Sequence, residues 1–198
     1  MTLIRRAFWL VGATLAYNVV EAAIAVWAGR EAGSIALLGF GLDSVLETAA
    51  AAVLLWRLWI GIRGDNGKRA ARAERRAHWF IGLTFLVLAT YVVAQAALDL
   101  VSGHHPDSSL VGIVLAVASL VVMPLLAAAK LRTAADLGSG ALRAEARETL
   151  ACAYLSFTLL LGLSLNAGAG WWWADAVAAL LMVPWLVREG LEGVRSEE

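Results

Sequence analysis

Two carboxylates, Asp43 and Glu47, stand four residues apart inside the apolar run GFGLDSVLETAAAAVLL. On a helix that spacing puts both on one face, a turn apart. Like charges so placed repel unless a cation or a proton lies between them. A carboxylate at mid-bilayer costs roughly 2.5–3.5 kcal/mol on insertion scales, so each one needs a reason. A cation or proton site supplies that reason; two protonated acids in a helix–helix contact is the plainer reading. A second pair at the same spacing, Glu148 and Cys152, lies in ALRAEARETLACAYLSF, where an oxygen and a thiolate can project together. A lone cysteine in a helix is ordinarily a small buried hydrophobe. Facing the acids of the other pair, Cys152 gains a second reading as a metal ligand. At about 1.5 Å per residue from the outer ends of their runs, Asp43 lies about 14 Å deep and Glu47 about 20 Å; Cys152 and Glu148 lie about 21 and 27 Å deep. The two pairs overlap with an offset of several ångströms, which helix tilt absorbs.

Other polar residues invite weaker readings. Thr14, Asn18 and Glu21 form a stripe on one helix face, and Gln95 and Asp99 form another; each can line a pathway or bond across helices. Asp175 follows the tryptophan cluster GWWWA, which fits an aromatic belt, at a depth where solvation is expected. His104, His105 and Asp107 share one loop and can collect metal weakly, although loop histidines are usually just solvated. Glu74 and His78 sit among arginines and read as ordinary helix pairing. No HExxH, GxSxG or GxxxxGK[ST] signature occurs, so an enzyme reading has no residues to stand on, and no cofactor is expected.

The elements that must position these residues follow from composition. The 198 residues are 61% hydrophobic and 16% charged, against ~45–50% and ~25% in soluble domains. Mean hydropathy is +0.73. A soluble domain of this size lacks the core volume to hide so much apolar sequence. Zero net charge gives no basic surface for nucleic acid, and a single cysteine permits no internal disulfide. An integral membrane protein remains. Six apolar stretches suit the ~30 Å hydrocarbon core: Ala7–Ala28, Ser34–Trp56, His78–Val101, Leu110–Ala129, Thr149–Leu165 and Trp171–Val187. Strand-sized alternation is absent, which argues against a barrel. The longest loops are expected at Arg57–Ala77 and Lys130–Glu148. Gly138–Gly140 marks the start of the fifth helix, and Gly168–Gly170 a tight turn into the sixth. Fifteen of the sixteen Lys and Arg fall on one side of these stretches, Arg30 alone on the other. The positive-inside rule then makes both termini cytoplasmic. The expected architecture is an all-α, multi-pass six-helix domain over residues 1–198, with no soluble domain, in the cell (plasma) membrane.

In order and spacing these segments resemble the cation diffusion facilitator (cation efflux) family of divalent-metal/proton antiporters. GSIALLGFGLDSVLE resembles the family's second helix, ALRAEARETLACAYLSFTLLLGLSL its fifth and GWWWADAVAALLMVPWLVREGLEGV its sixth; Asn18 also has a family counterpart. The resemblance implies a tetrahedral transport site with Asp43 and Glu47 from helix two and Glu148 and Cys152 from helix five. Asn18, Asp175, His104 and His105 are secondary candidates. The chain departs from the family in having Glu148 and Cys152 where His or Asp, then Asp, is usual, and in ending without the family's cytoplasmic metal-binding domain. It also implies a homodimer through the transmembrane helices. The function so implied is export of a divalent transition metal from the cytoplasm by proton antiport. Three carboxylates and a thiolate suit Zn²⁺, with Cd²⁺, Fe²⁺, Co²⁺ or Mn²⁺ as alternatives. The rival is a non-transporting membrane metal sensor or scaffold that keeps the same fold.

Overall fold

The computed structural model describes the backbone of residues 3–62 and 68–195; side chains are described throughout except at Leu54, 57–62, 68–78 and Ala141. Six helices follow one another: α1 (Leu3–Ala32), α2 (Ile35–Ile62), α3 (Lys68–Ser102), α4 (Leu110–Leu137), α5 (Gly140–Ala169) and α6 (Trp173–Arg195). Five contain runs long and apolar enough to cross a bilayer. The sixth, of 23 residues, carries Asp175 in its first turn and Arg195 in its last, and it packs along α3 and α5. The chain folds as an all-helical, six-helix membrane domain.

The helices outrun the apolar stretches. The two loops expected at Arg57–Ala77 and Lys130–Glu148 are mostly helical, because α2 continues to Ile62, α3 starts at Lys68, and only a short break separates α4 from α5. Helix-favouring Ala, Leu, Arg and Glu carry the backbone on past the apolar limit. The breaks occur where glycine allows them. Gly138 ends α4 in the left-handed conformation at φ 64°, and Ser139 then caps α5 by accepting from the Leu142 amide. Gly170, at φ 66°, ends α5 in the same way. Glu74 and His78 fall on α3, with side chains outside the described residues.

Packing groups the helices into three intimate pairs, α1 with α2, α3 with α6 and α4 with α5. Small residues permit the approach. A Cβ on Gly82 of α3 would lie 2.8 Å from the Gly190 carbonyl oxygen of α6. A Cβ on Gly162 of α5 would lie 2.5 Å from that of Ala178 in α6. The core is built of Ala, Leu and Phe side chains such as Phe40, Leu155 and Leu159, while Trp9, Phe80, Val87 and Leu125 face outward, as lipid-facing residues must. One end of the bundle is laced together: the Asp107 amide donates to the Ala32 carbonyl at 2.8 Å, and Asn166 Nδ2 to the Pro106 carbonyl at 2.9 Å.

Candidate metal centre

Asp43 and Glu47 share the inner face of α2, as their spacing requires. Asp43 is 1% exposed, and among the described residues neither of its carboxylate oxygens has a hydrogen-bond partner. Glu47 Oε2 accepts from Asn18 Nδ2 of α1 at 3.0 Å, while Asn18 Oδ1 is buried and unpartnered. Among the described residues, three buried acceptor atoms, both oxygens of Asp43 on α2 and Oδ1 of Asn18 on α1, therefore lack a donor. Buried acceptors are rarely left so. A cation or a proton satisfies them; another acceptor does not.

The residues of α5 divide between two levels. Cys152 is fully buried, and its Sγ lies 3.7 Å from Glu21 Oε2 of α1. Glu47, Glu21 and Asp43 all lie within electrostatic reach of it. Glu148 is only half-buried and lines a pocket of 190 Å³ among α2, α3, α5 and α6. Glu47, Glu189 and Glu192 line the same pocket, so four carboxylates surround it. Beyond the last apolar stretch, burial first and then the neighbouring Glu192 push the Glu189 carboxyl up to about 7, against the opposing pull of Arg188. Among the described residues, no three His, Cys, Asp or Glu side chains converge closely enough to form a ready-made metal site. Asp43 and Glu47 stay together; Cys152 and Glu148 reach different places.

Two polar clusters were not singled out by spacing. Glu21, 1% exposed, accepts from Ser44 at 2.9 Å and from Ser119 of α4, which also bonds Tyr17 at 2.8 Å. Its place on the Thr14–Asn18–Glu21 stripe was legible, its central position was not. Lys130 Nζ of α4 is wholly buried against Glu145 Oε1 at 2.5 Å and Thr149 Oγ1 at 2.9 Å of α5. An i,i+4 Glu145–Thr149 pair opposite a lysine that follows an unbroken apolar run was the available signal.

The secondary candidates separate. Asp175, expected to be solvated, is 2% exposed: Ser34 donates to its Oδ1 at 2.5 Å and the Ala36 amide to its Oδ2 at 3.3 Å. The start of α6 packs on the start of α2, where free amides favour a carboxylate. It therefore anchors two helices. His105 stacks on Trp172 at 5.1 Å, and His104 packs under Gly33, so the adjacent histidines have different packing partners. Gln95 and Asp99 bond each other within α3.

Comparison with known proteins agrees with this architecture. A family model described as the cation efflux transmembrane domain matches residues 11–196. An uncharacterized transporter of Synechocystis is 26% identical over 151 residues, covering 75% of this chain and 49% of the relative. Transmembrane protein 163 of Xenopus laevis is 25% identical over 179 residues, covering 90% of this chain and 62% of the relative. The chain thus spans about half to three-fifths of the curated relatives it matches. A six-helix membrane bundle with paired acids on its second helix and a family match over nearly its whole length belongs to the cation efflux transmembrane domain family.

Proposed function

We propose that the six helices form the transport domain of a secondary transporter that exports a divalent transition metal from the cytoplasm across the cell (plasma) membrane in exchange for protons. The observation that carries this reading is Asp43: a wholly buried carboxylate whose two oxygens have no partner among the described residues, one turn from Glu47, which Asn18 bonds. The pocket supplies a way in. It leads from Glu192, Glu189 and Glu148 to Glu47, on the side where the basic residues place the cytoplasm. Carboxylates along the path concentrate divalent cations near the site. Ligands must be deprotonated to bind metal, so loading expels protons and the empty site recovers them. Cys152 tilts the choice to Zn²⁺ over Mn²⁺, since thiolate is the softest donor present. A homodimer through the transmembrane helices belongs to the same proposal.

The non-transporting rival draws on one observation, the separation of Glu148 from Cys152. Proteoliposomes with a zinc indicator and a pH indicator on opposite sides test the two. Zinc uptake accompanied by counterflow of protons, lost in Asp43→Asn, is the expected result. Zinc binding without flux of either ion overturns transport.

A further inference from the structure

The last turn of α1 holds two charged side chains that the transport site does not use. Arg30 is the one cation on the side opposite the other fifteen, and Glu31 follows it. Both are exposed, and neither takes part in the ion pairs found among the described residues, Lys130 with Glu145 and Arg188 with Glu192. Both line a groove of 690 Å³ between α1 and α2, whose outer end they mark. Trp27 lines it one turn lower and is 59% exposed, as an indole at the edge of the hydrocarbon should be. Below Trp27 the groove is apolar, with Ala23 and Val26 on α1 and Val45 on α2. Val19 and Thr48 mark its inner end. The Thr48 hydroxyl donates to the Ser44 carbonyl at 2.7 Å, so it asks nothing of an occupant. From Arg30 down to Val19 is about 17 Å of helix at about 1.5 Å per residue. That is about half of the ~30 Å hydrocarbon core, the depth of one leaflet.

We propose that this groove binds one phospholipid of the outer leaflet, its acyl chain along α1 and α2 and its headgroup, a phosphate with a primary ammonium, held at Arg30 and Glu31. An acyl chain gains little by leaving one apolar surrounding for another, so the headgroup must carry the preference. Charge complementarity selects it. The guanidinium of Arg30 presents a planar fork of N–H donors that matches phosphate oxygens. The carboxylate of Glu31 only accepts, and a primary ammonium brings three donors to it. A quaternary ammonium brings none, and a glycerol headgroup brings no positive charge. A phosphoethanolamine group therefore meets both side chains, where the other two meet one. The bound chain lies against the intimate α1–α2 pair, and Val19 and Thr48 at its inner end adjoin Asn18 and Glu47 in sequence.

The test is native mass spectrometry of the purified full chain in detergent, titrated with dioleoyl phosphatidylethanolamine, phosphatidylcholine and phosphatidylglycerol in turn. Wild type should bind one phosphatidylethanolamine about tenfold more tightly than either other lipid, and further lipids weakly and without preference. Arg30→Gln should weaken that first binding about tenfold, the value of one charge-assisted hydrogen bond. Glu31→Gln should remove the preference for phosphatidylethanolamine over phosphatidylglycerol. Ala23→Trp, at an exposed position in the groove, should abolish the tight lipid whatever its headgroup, and the thermal melting of each variant checks its folding. Equal binding of the three lipids, unchanged in Arg30→Gln, is the behaviour of ordinary surrounding lipid and overturns the proposal. A dimer that Ala23→Trp splits, with no tight lipid on wild type, gives the groove to a second copy of the chain and overturns it too. Neither result touches the transport reading, which involves none of these side chains.

Discussion

The buried pair of Lys130 and Glu145 gives the sharpest energetic prediction. Nζ and Oε1 are 2.5 Å apart, with side chains 0% and 8% exposed. Their attraction at that distance is about 7 kcal/mol at an effective dielectric of about 20. Removing two ions from water costs several kcal/mol each, which offsets most or all of it. The second oxygen of Glu145 has no partner among the described residues, so hydrogen bonding does not make up the difference. The pair as a whole should therefore contribute close to nothing relative to a well-packed apolar pair, whereas removing one member strands a buried charge at a cost of about 3–5 kcal/mol. Lys130→Met, Glu145→Leu and the double variant, unfolded reversibly by SDS in mixed micelles, form the cycle. Each single change should cost about 3 kcal/mol or more, and the double variant should return to within about 1 kcal/mol of wild type, a coupling of several kcal/mol. Single variants within about 0.5 kcal/mol of wild type, or strictly additive costs, would refute the assignment of a desolvated charge pair between α4 and α5.

Further measurements bear on other parts of the molecule. Asp43→Asn and Glu47→Gln, each removing a charge with little change in volume, should abolish metal flux at equal protein yield; undiminished flux in both removes the acids from the transport path. Cysteines introduced in a Cys152→Ser background at Ser108 and Asp136, both exposed, should be labelled from outside and from the cytoplasm respectively, and the reverse pattern inverts the orientation. Gly82→Val should lower the melting temperature by several degrees, since its added atoms meet the Gly190 carbonyl, and an unchanged melt would show that α3 and α6 pack more loosely than described. Glu189 is favoured in its neutral form because its folded value of about 7 exceeds the ordinary 4.5. Its stabilising contribution is full below about pH 4.5 and is lost as pH rises through about 7. Glu189→Gln should thus melt higher than wild type above about pH 8 and match it at acidic pH; identical melts at all pH values would show the carboxyl to be fully solvated.

Sequence reasoning located what periodicity and backbone chemistry control. The six helices, the start of the fifth at Gly138–Gly140, the tight turn at Gly168–Gly170 and the common face of Asp43 and Glu47 all depend on neighbours within a few residues. Helix limits were harder, because hydropathy marks where lipid ends and not where hydrogen bonding ends; α2 and α3 run well past it. The partners of polar groups were hardest. Asp175 looked shallow when depth was counted along α6 alone, yet Ser34 and the Ala36 amide arrive from a helix more than a hundred residues away. Cys152 pointed to Glu148 by spacing along one helix, but the rotation of α5 against α1 turns it to Glu21. Lys130 counted as a loop cation until α4 carried it into the bundle. Each miss concerns a rotation or a crossing between helices, which one-dimensional spacing does not encode.

The three intimate helix pairs have a mechanical consequence. Asp43 and Glu47 ride on the α1–α2 pair, while Cys152 and Glu148 ride on α4–α5. The seam between those pairs is crossed by bonds from the hydroxyl of Ser119 to Glu21 and Tyr17 and by the thiol of Cys152 reaching Glu21. On the transport reading proposed above, an ion held by ligands from both pairs would work as a rivet through that seam. Its binding free energy would act on the sliding coordinate itself, so occupancy would stiffen the seam and vacancy would free it. The bonds of Asp107 to Ala32 and of Asn166 to Pro106 would then make the laced end the pivot.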